Sequence, residues 1–310
     1  MACIYITGGA GFIGRAVAEE LMLQGHKVKT LDLAVMKNVC HHKSGSILDP
    51  YMVAEQMKGC DYVIHLAAAL GVKRTEARRL ECLYINVQGM VNVLEACVKN
   101  KIKKIVFSSS SEIYGNQNKM PILEESPVNP ISNYATTKLI GEEYLRAYFE
   151  AYSLNYSIVR FFNVYGERQR EHFVIPRFVN AVCNDEPPII YGDGKQVRSF
   201  CYVSDAAKGI VNALFCEEAN GEVFNIGNNS EPISVEILAQ KIISLNGIDS
   251  LIPQFIALED SDRSKEREVY DRVPSIEKAK KILGCKPSVG LEEGLLKIID
   301  YVKKSVEKDS

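Results

Sequence analysis

Tyr134 and Lys138 stand four residues apart in Tyr134-Ala135-Thr136-Thr137-Lys138, near the start of a helical pattern, so both project from one helix face. A phenol with a pKa near ~10 is a poor base at neutral pH. An ammonium beside it favours the phenolate, as would the positive ring of an oxidised nicotinamide. Such a tyrosine can take the proton of an alcohol while hydride leaves the carbon. Ser108, Ser109, Ser110 and Ser111 close a short apolar run, and one of these hydroxyls could bond the same alcohol oxygen. Hydride transfer needs a dinucleotide, and the residues able to hold one stand at the other end of the chain. Gly8, Gly9, Gly11 and Gly14 follow the apolar run that begins at Ile4. Glycines there permit positive φ and remove the Cβ atoms that would hold a pyrophosphate off the backbone. The free N–H groups of the first turn of the helix that follows then point at the anion, with Phe12 and Ile13 of the loop among the cofactor-binding candidates. Asp32 lies 18 residues after Gly14, at the end of a second strand pattern. A carboxylate there would accept hydrogen bonds from both ribose hydroxyls and repel a 2′-phosphate, which selects NAD over NADP.

The elements that must position these groups follow an alternating order. Strand patterns at 27–31, 61–69, 104–107 and 156–161 are separated by helical patterns at 15–24, 51–58, 74–99 and 133–152. This alternation predicts an α/β fold, a Rossmann-type doubly wound parallel sheet covered on both faces. Leu66, Ala67 and Ala68 end the third strand, where small residues let a flat cofactor lie against the sheet. His65 reads as a core or backbone-bonded histidine. The second half is less regular. Helices are expected at 174–184, 204–215, 234–246, 275–283 and 291–306, with strands at 187–191, 200–203 and 223–226, and a charged exposed loop at 259–268. We therefore expect an NAD-binding domain over 1–165 and a smaller mixed α/β substrate lobe over 166–310, with segments near 195–230 returning to the first domain.

Composition excludes other classes. The 310 residues carry 37 basic and 39 acidic side chains for a net charge of -2, so no electrostatic footprint for nucleic acid or an anionic membrane is present. No apolar run reaches the length of a membrane span, and Met1 leads almost directly into the first strand, leaving no room for a signal peptide. Nine cysteines, scattered and mostly among apolar residues, suit reduced thiols in a cytoplasm. His41-His42 beside Cys40 have no second ligand pair at a suitable spacing, so no metal is expected.

The chain resembles the extended short-chain dehydrogenase/reductases, specifically the NAD-dependent sugar-nucleotide epimerase/dehydratase family. The resemblance runs nearly end to end, through Thr7 to Gly14, His65-Leu66-Ala67-Ala68, Asn86, Ser108 to Gly115, the Tyr134/Lys138 pair, Arg160-Phe161-Phe162-Asn163-Val164-Tyr165-Gly166, Tyr191-Gly192-Asp193-Gly194, Arg198 and Tyr202-Val203-x-Asp205. It implies a tightly held NAD, oxidation of a sugar at C4, a second step that the ketone makes possible, and return of the hydride. A 4-ketone acidifies the neighbouring C–H bonds, so one oxidation opens several reactions.

By resemblance, Ser110 partners the catalytic Tyr134 and Lys138 activates it. Glu112 is the discriminating position. Plain 4-epimerases tend to carry a small residue there, dehydratases a Glu that removes the C5 proton, and decarboxylases acting on a glucuronic acid also show the Ser111-Glu112 pair. Ser111, Asn163, the backbone of Val174, Ile175 and Pro176, Tyr191, Arg198 and Arg272 match positions that hold the diphosphate and base of a nucleotide sugar, and a guanidinium fork suits a diphosphate. Arg272 also resembles the arginine that decarboxylases aim at their substrate. Two departures stand out. Gly45-Ser46-Ile47 lacks the acidic residue often found near the adenine, and dTDP-sugar dehydratases usually have Asp-Glu where Ser111-Glu112 stands. The basic run Gly71-Val72-Lys73-Arg74 either recognises an acidic sugar or caps a helix. The expected function is modification of a nucleotide-linked hexose through a transient 4-keto sugar, with 4,6-dehydration favoured. A 4-epimerase, a UDP-glucuronate-type decarboxylase and a non-enzymatic NAD-sensing protein are the alternatives. A homodimer joined through 74–99 and 133–152 is expected.

Overall fold

The computed structural model describes residues 1–36, 41–71, 75, 77–248, 250–258 and 269–309. Cys40, residues 72–74 of the basic run and the charged run 259–268 lie outside the described residues. In chain order the first half contains β1 (Cys3–Thr7), α1 (Phe12–Leu23), β2 (Lys27–Asp32), β3 (His41–Ser44), α2 (Pro50–Gln56), β4 (Tyr62–His65), α3 (Arg79–Lys99), β5 (Lys104–Ser110), α4 (Asn133–Tyr152) and β6 (Asn155–Phe161). Then come β7 (Val164–Tyr165), α5 (Val174–Cys183), β8 (Ile189–Tyr191), β9 (Val197–Arg198), β10 (Cys201–Tyr202), α6 (Val203–Phe215) and β11 (Glu222–Ile226). The chain ends with β12 (Ile233–Ser234), α7 (Val235–Asn246), β13 (Gln254–Ile256), β14 (Asp271–Arg272), α8 (Glu277–Leu283) and α9 (Leu291–Asp309).

Seven parallel strands form the central sheet in the order β11-β6-β5-β4-β1-β2-β3. The order reverses between β1 and β4, so the carboxyl ends of those two strands, Thr7 and His65, open the crevice in which such sheets bind ligands. Burial on both faces explains the near-continuous apolar strands. Ile4 and Ile6 pack on one side with Val17, Leu21 and Ile210 of α1 and α6. Tyr5 points to the other, where Val93 and Leu94 of α3 and Leu145 of α4 cover Val63, Ile105 and Ile158.

β3 differs from the sequence expectation. No strand is expected from the sequence at His41-His42-Lys43-Ser44, yet this segment pairs with β2 from Lys29 to Asp32 as the sheet's edge. An edge strand is held by backbone bonds and needs no apolar pattern. Helix α1 begins at Phe12 rather than Arg15, which places Gly14 inside it. In the second half a three-stranded sheet, β12-β9-β14, was not legible because each strand is two residues long.

Candidate active site

The glycine loop joins β1 to α1, and each of three glycines meets a different physical demand. A Cβ on Gly14 would lie 2.1 Å from the Gly8 carbonyl oxygen, so only glycine lets the helix approach the turn. Gly8 has φ +75°, and its Cβ would fall 2.7 Å from the Ala67 nitrogen, which seats the loop against the end of β4. Gly11 is exposed and caps α1 with an ordinary φ of -68°; a Cβ there would meet only the Gly8 oxygen, at 3.1 Å. No side chain caps the helix, so its first N–H groups face outward. Such a cradle fits a pyrophosphate. Asp32 reaches it from β2, accepting the Ala10 N–H at 3.0 Å through one oxygen and the Ala34 N–H at 3.0 Å through the other. Ser46, by contrast, accepts the N–H of Leu48 at 3.1 Å and so helps form its own turn.

The floor of the crevice is held from below. The Thr7 hydroxyl bonds His65 Nδ1 at 2.6 Å and lies 3.4 Å from the Ala67 nitrogen. His65 is buried against Phe107, and burial, then the charge of Lys138, lowers its imidazole to about 3. It is a neutral structural group, as its sequence setting suggests. Leu66, Ala67 and Ala68 remain partly open above it. Asn86 of α3 ties the strand end to α4: its oxygen accepts the Ala69 N–H at 2.7 Å, and its amide donates to Ala69 O at 3.1 Å and Thr137 Oγ1 at 2.9 Å.

Helix α4 is preceded by Ser132, whose hydroxyl caps it by accepting the Ala135 N–H at 3.0 Å. Tyr134 and Lys138 share the face turned to β5. Ser110, at the end of β5, lies near the Tyr134 phenol and favours its ionised form, which brings together the serine and tyrosine paired in the sequence reading. Lys138 departs from that reading in one respect. Its ammonium lies 5.6 Å from the Tyr134 ring centre, but its short bond, 2.6 Å, goes to the Ser108 carbonyl, with Ser108 Oγ at 3.4 Å. The phenol is pushed above its ordinary pKa, first by burial and then by the charges of Glu112 and Cys82, while Ser110 pulls it down. Burial also lowers Lys138 to about 7, with Cys82 and Glu142 acting the other way.

Glu112 sits one residue past Ser111 in a short 3-10 turn, Ser111–Tyr114. Its backbone N–H donates to Ser110 Oγ at 3.2 Å, and its carboxylate accepts the Ser132 hydroxyl at 3.1 Å. That hydroxyl has a single proton, and since the N-cap bond uses a lone pair, the proton goes to Glu112. Ser132 escaped the sequence reading; a serine just before a helical pattern is the signal that could have found it. Ser111 itself is buried at 2 % exposure.

On the substrate side, Asn163 has φ 39° and donates to the Ser199 carbonyl at 3.0 Å. Ile175 and Pro176 bury their side chains, so at the start of α5 only backbone and Val174 are open. Tyr191 and Tyr270 line a cavity of about 150 Å³ with Asp193, Gln196 and Leu258. Arg198 and Arg272 are register partners on β9 and β14, which brings two arginines from distant segments to adjacent strand positions. Arg198 also donates to the Tyr270 carbonyl at 2.7 Å and to that of Val269, fastening β9 to the chain before β14.

Residues 4–227 match the sequence model of the NAD dependent epimerase/dehydratase family. The chain belongs to that family. A putative UDP-glucose 4-epimerase of Methanocaldococcus jannaschii is 35% identical over 316 residues, covering 97% of this chain and 99% of its own. A UDP-N-acetyl-alpha-D-glucosaminuronate decarboxylase of Bacillus cytotoxicus is 37% identical over 322 residues, covering 98% of both. Among solved structures, the UDP-glucose 4-epimerase of Thermotoga maritima with UDP-glucose superposes with a TM-score of 0.91 at 31% identity, covering 98% of this chain and 99% of that one. The protein is thus an NAD-dependent enzyme of the nucleotide-sugar epimerase/dehydratase family, and the cradle from Gly8 to Gly14 with Asp32 is a fit for NAD.

Proposed function

We propose that the enzyme oxidises C4 of a nucleotide-linked hexose and uses the transient ketone for a second step at C5. The observation that carries this reading is the grouping of Ser110, Glu112 and the helix start that bears Tyr134: Ser110 Oγ accepts the Glu112 N–H at 3.2 Å, and the Glu112 carboxylate accepts, at 3.1 Å, the hydroxyl of Ser132, the N-cap two residues before Tyr134. NAD, when bound, supplies the acceptor and donor of hydride. Tyr134 takes the C4 hydroxyl proton, and Ser110 bonds the same oxygen. Lys138, anchored to Ser108, sets the helix face on which Tyr134 stands. With a ketone at C4 the C5 proton becomes acidic, and Glu112, held by Ser132, is the base one carbon away. The C5 carbanion expels the C6 hydroxyl, which leaves as water with a proton, and the resulting 5,6-double bond takes back the C4 hydride at C6 and a proton at C5, which completes a redox-neutral 4,6-dehydration. Arg198, Arg272 and Tyr191, with Asn163 and the backbone at Val174, hold the nucleotide diphosphate in the lobe formed mainly by residues 166–310, against the NAD-binding part formed by 1–165 and β11.

Decarboxylation is the second reading. Ser111-Glu112 is the pair seen in decarboxylases by resemblance, and Arg272 lies beside Arg198 where a sugar carboxylate could be met. Incubating the enzyme with UDP- and dTDP-hexoses and UDP-hexuronates, and reading product mass, separates the outcomes. Loss of water supports the lead reading and loss of carbon dioxide the second. Unchanged mass with an altered sugar NMR spectrum leaves 4-epimerisation.

A homodimer through α3 and α4 is part of this proposal. The two helices pack together and leave Leu80, Tyr84, Phe149 and Tyr152 exposed. Light scattering at a monomer mass would refute it. Eight described cysteines are free thiols, and no described helix is long and apolar enough to cross a membrane; the former supports a cytoplasmic site of action.

A further inference from the structure

Behind the reacting pair, α4 carries a third inward side chain at the same four-residue step. Tyr134, Lys138 and Glu142 lie along one helix face and meet Ser110, Ser108 and Ser109 of β5 in turn. Glu142 is fully buried. Its Oε1 accepts the Ser109 hydroxyl at 2.6 Å and Arg160 Nε at 3.0 Å, and its Oε2 accepts an Arg160 terminal nitrogen at 2.7 Å, with Arg146 at 3.5 Å. The remaining terminal nitrogen of Arg160 donates to the Tyr114 hydroxyl at 2.8 Å and the Glu124 carbonyl at 2.8 Å. The Tyr114 hydroxyl donates to Asn225 Oδ1 at 2.8 Å, and the Asn225 amide to the Ile122 carbonyl at 3.1 Å. The Ile122 N–H in turn donates to the Val273 carbonyl at 2.8 Å, one residue past Arg272. One buried carboxylate therefore sits where the catalytic helix, the serine strand and the segment bearing a nucleotide arginine are joined.

We propose that Glu142 is a positioning residue: through Ser109 and Arg160 it fixes the register of α4 on the end of β5 and holds a negative charge next to Lys138. Nothing in the stability of the fold requires an ion pair at this depth, because well-packed apolar residues do as well or better. What an ion pair adds is direction: the bidentate fork of Arg160 leaves Oε1 aimed at Ser109, and Ser109 stands between the two serines that meet Lys138 and Tyr134. The groups facing the Lys138 ammonium are Tyr134 and Glu142 on α4, Cys82 on α3, His65 on β4 and Ser108 on β5. Glu142 is the carboxylate among them. Removing its charge also leaves Arg160 uncompensated, so both changes push the ammonium towards neutrality.

This inference rests on Tyr134 and Lys138 being the reacting pair. The test is Glu142→Gln in the full-length enzyme, with two readouts. In ¹³C-NMR titration of ε-labelled lysine, with the Lys138 signal assigned by Lys138→Arg, the midpoint moves down by about half a pH unit to one unit. In turnover of whichever sugar nucleotide the panel identifies, kcat falls about tenfold with KM within about twofold, and the alkaline limb moves the same way. A Lys138 midpoint equal to the wild type overturns the inference. Ser109→Ala, a small change at a buried hydroxyl, covers the case in which Glu142→Gln does not fold: it lowers kcat about threefold to tenfold with the alkaline limb in place, and an unchanged kcat overturns the positioning role. Tyr134→Phe separates the two failures. If it abolishes turnover while Glu142→Gln behaves as wild type, only the inference falls; if it turns over normally, the proposed function falls with it.

Discussion

Gly11→Ala and Gly14→Ala add the same carbon at two points of one loop, and their consequences are opposite. At Gly14 the new Cβ would stand 2.1 Å from the Gly8 carbonyl oxygen and 2.8 Å from Gly9 Cα. Both are backbone atoms, so relief comes only by moving α1 away from β1. Alanine inside a helix is ordinarily favoured over glycine by about 1 kcal/mol, but overpacking of this kind costs about 1–3 kcal/mol. With backbone atoms at 2.1 and 2.8 Å the cost falls at the upper end of that range, so the net is a loss of about 2 kcal/mol, or a few degrees in Tm for a chain of this size. At Gly11 the φ of -68° suits any residue, and the only neighbour of the added carbon is one oxygen at 3.1 Å. Stability therefore stays within about 1 kcal/mol of the wild type. What the carbon fills is the space through which a phosphate approaches the first-turn N–H groups of Phe12 and Ile13. Losing one such bond to a charged oxygen costs about 1.5–3 kcal/mol, which is roughly 10- to 100-fold in Kd for NAD. Thermal unfolding and calorimetric titration of NAD into protein freed of cofactor read the two effects separately. A Gly11→Ala enzyme that binds NAD like the wild type, or a Gly14→Ala enzyme that melts no lower, would refute the cradle.

Three further outcomes follow from the site. His65 titrates near 3 in the fold against an ordinary 6.5, chiefly through burial. The unfolded chain binds a proton in that window that the native state does not, so stability falls as pH drops below about 6.5, by a few kcal/mol at most near pH 3. Urea unfolding between neutral pH and about pH 4 shows the slope, and His65→Gln flattens it. Arg272→Ala raises KM for the nucleotide sugar about tenfold or more while leaving NAD affinity unchanged, measured by steady-state kinetics and NAD titration. Glu112→Gln slows product formation by about 10²- to 10⁴-fold but leaves oxidation at C4 intact, so reduced nicotinamide accumulates on the enzyme; normal product formation would remove Glu112 from the C5 step.

Glycine spacing and strand patterning made the first half of the fold readable. Gly8, Gly11, Gly14 and Asp32 encode local geometry, and the buried parallel strands need apolar runs that stand out against their polar turns. β3 stayed hidden because His41-His42-Lys43-Ser44 is held to β2 by backbone pairing and by a polar bond of His42 Nδ1 with the Thr30 hydroxyl at 2.8 Å, neither of which leaves an apolar pattern. Arg198 and Arg272 could be named separately, but their adjacency comes from a parallel pairing of two-residue strands 74 positions apart, and so short a strand has no period to detect. Likewise Tyr134 and Lys138 were legible as neighbours on one face, whereas the partner that the ammonium takes, the Ser108 carbonyl, is a backbone group that side-chain types do not reveal. Ser132 and Glu142 were overlooked for opposite reasons: the first resembles any helix cap, and the second any surface glutamate on a helix.

Turnover as proposed begins with an alcohol losing hydride beside the Tyr134 phenol. Single-turnover mixing of the NAD-loaded enzyme with its sugar nucleotide, unlabelled or deuterated at C4, tests this directly. The predicted result is a slower first turnover for the deuterated sugar, and a Tyr134→Phe enzyme slower by about 10²- to 10⁴-fold. Equal rates for both isotopes together with an unimpaired Tyr134→Phe enzyme would contradict it.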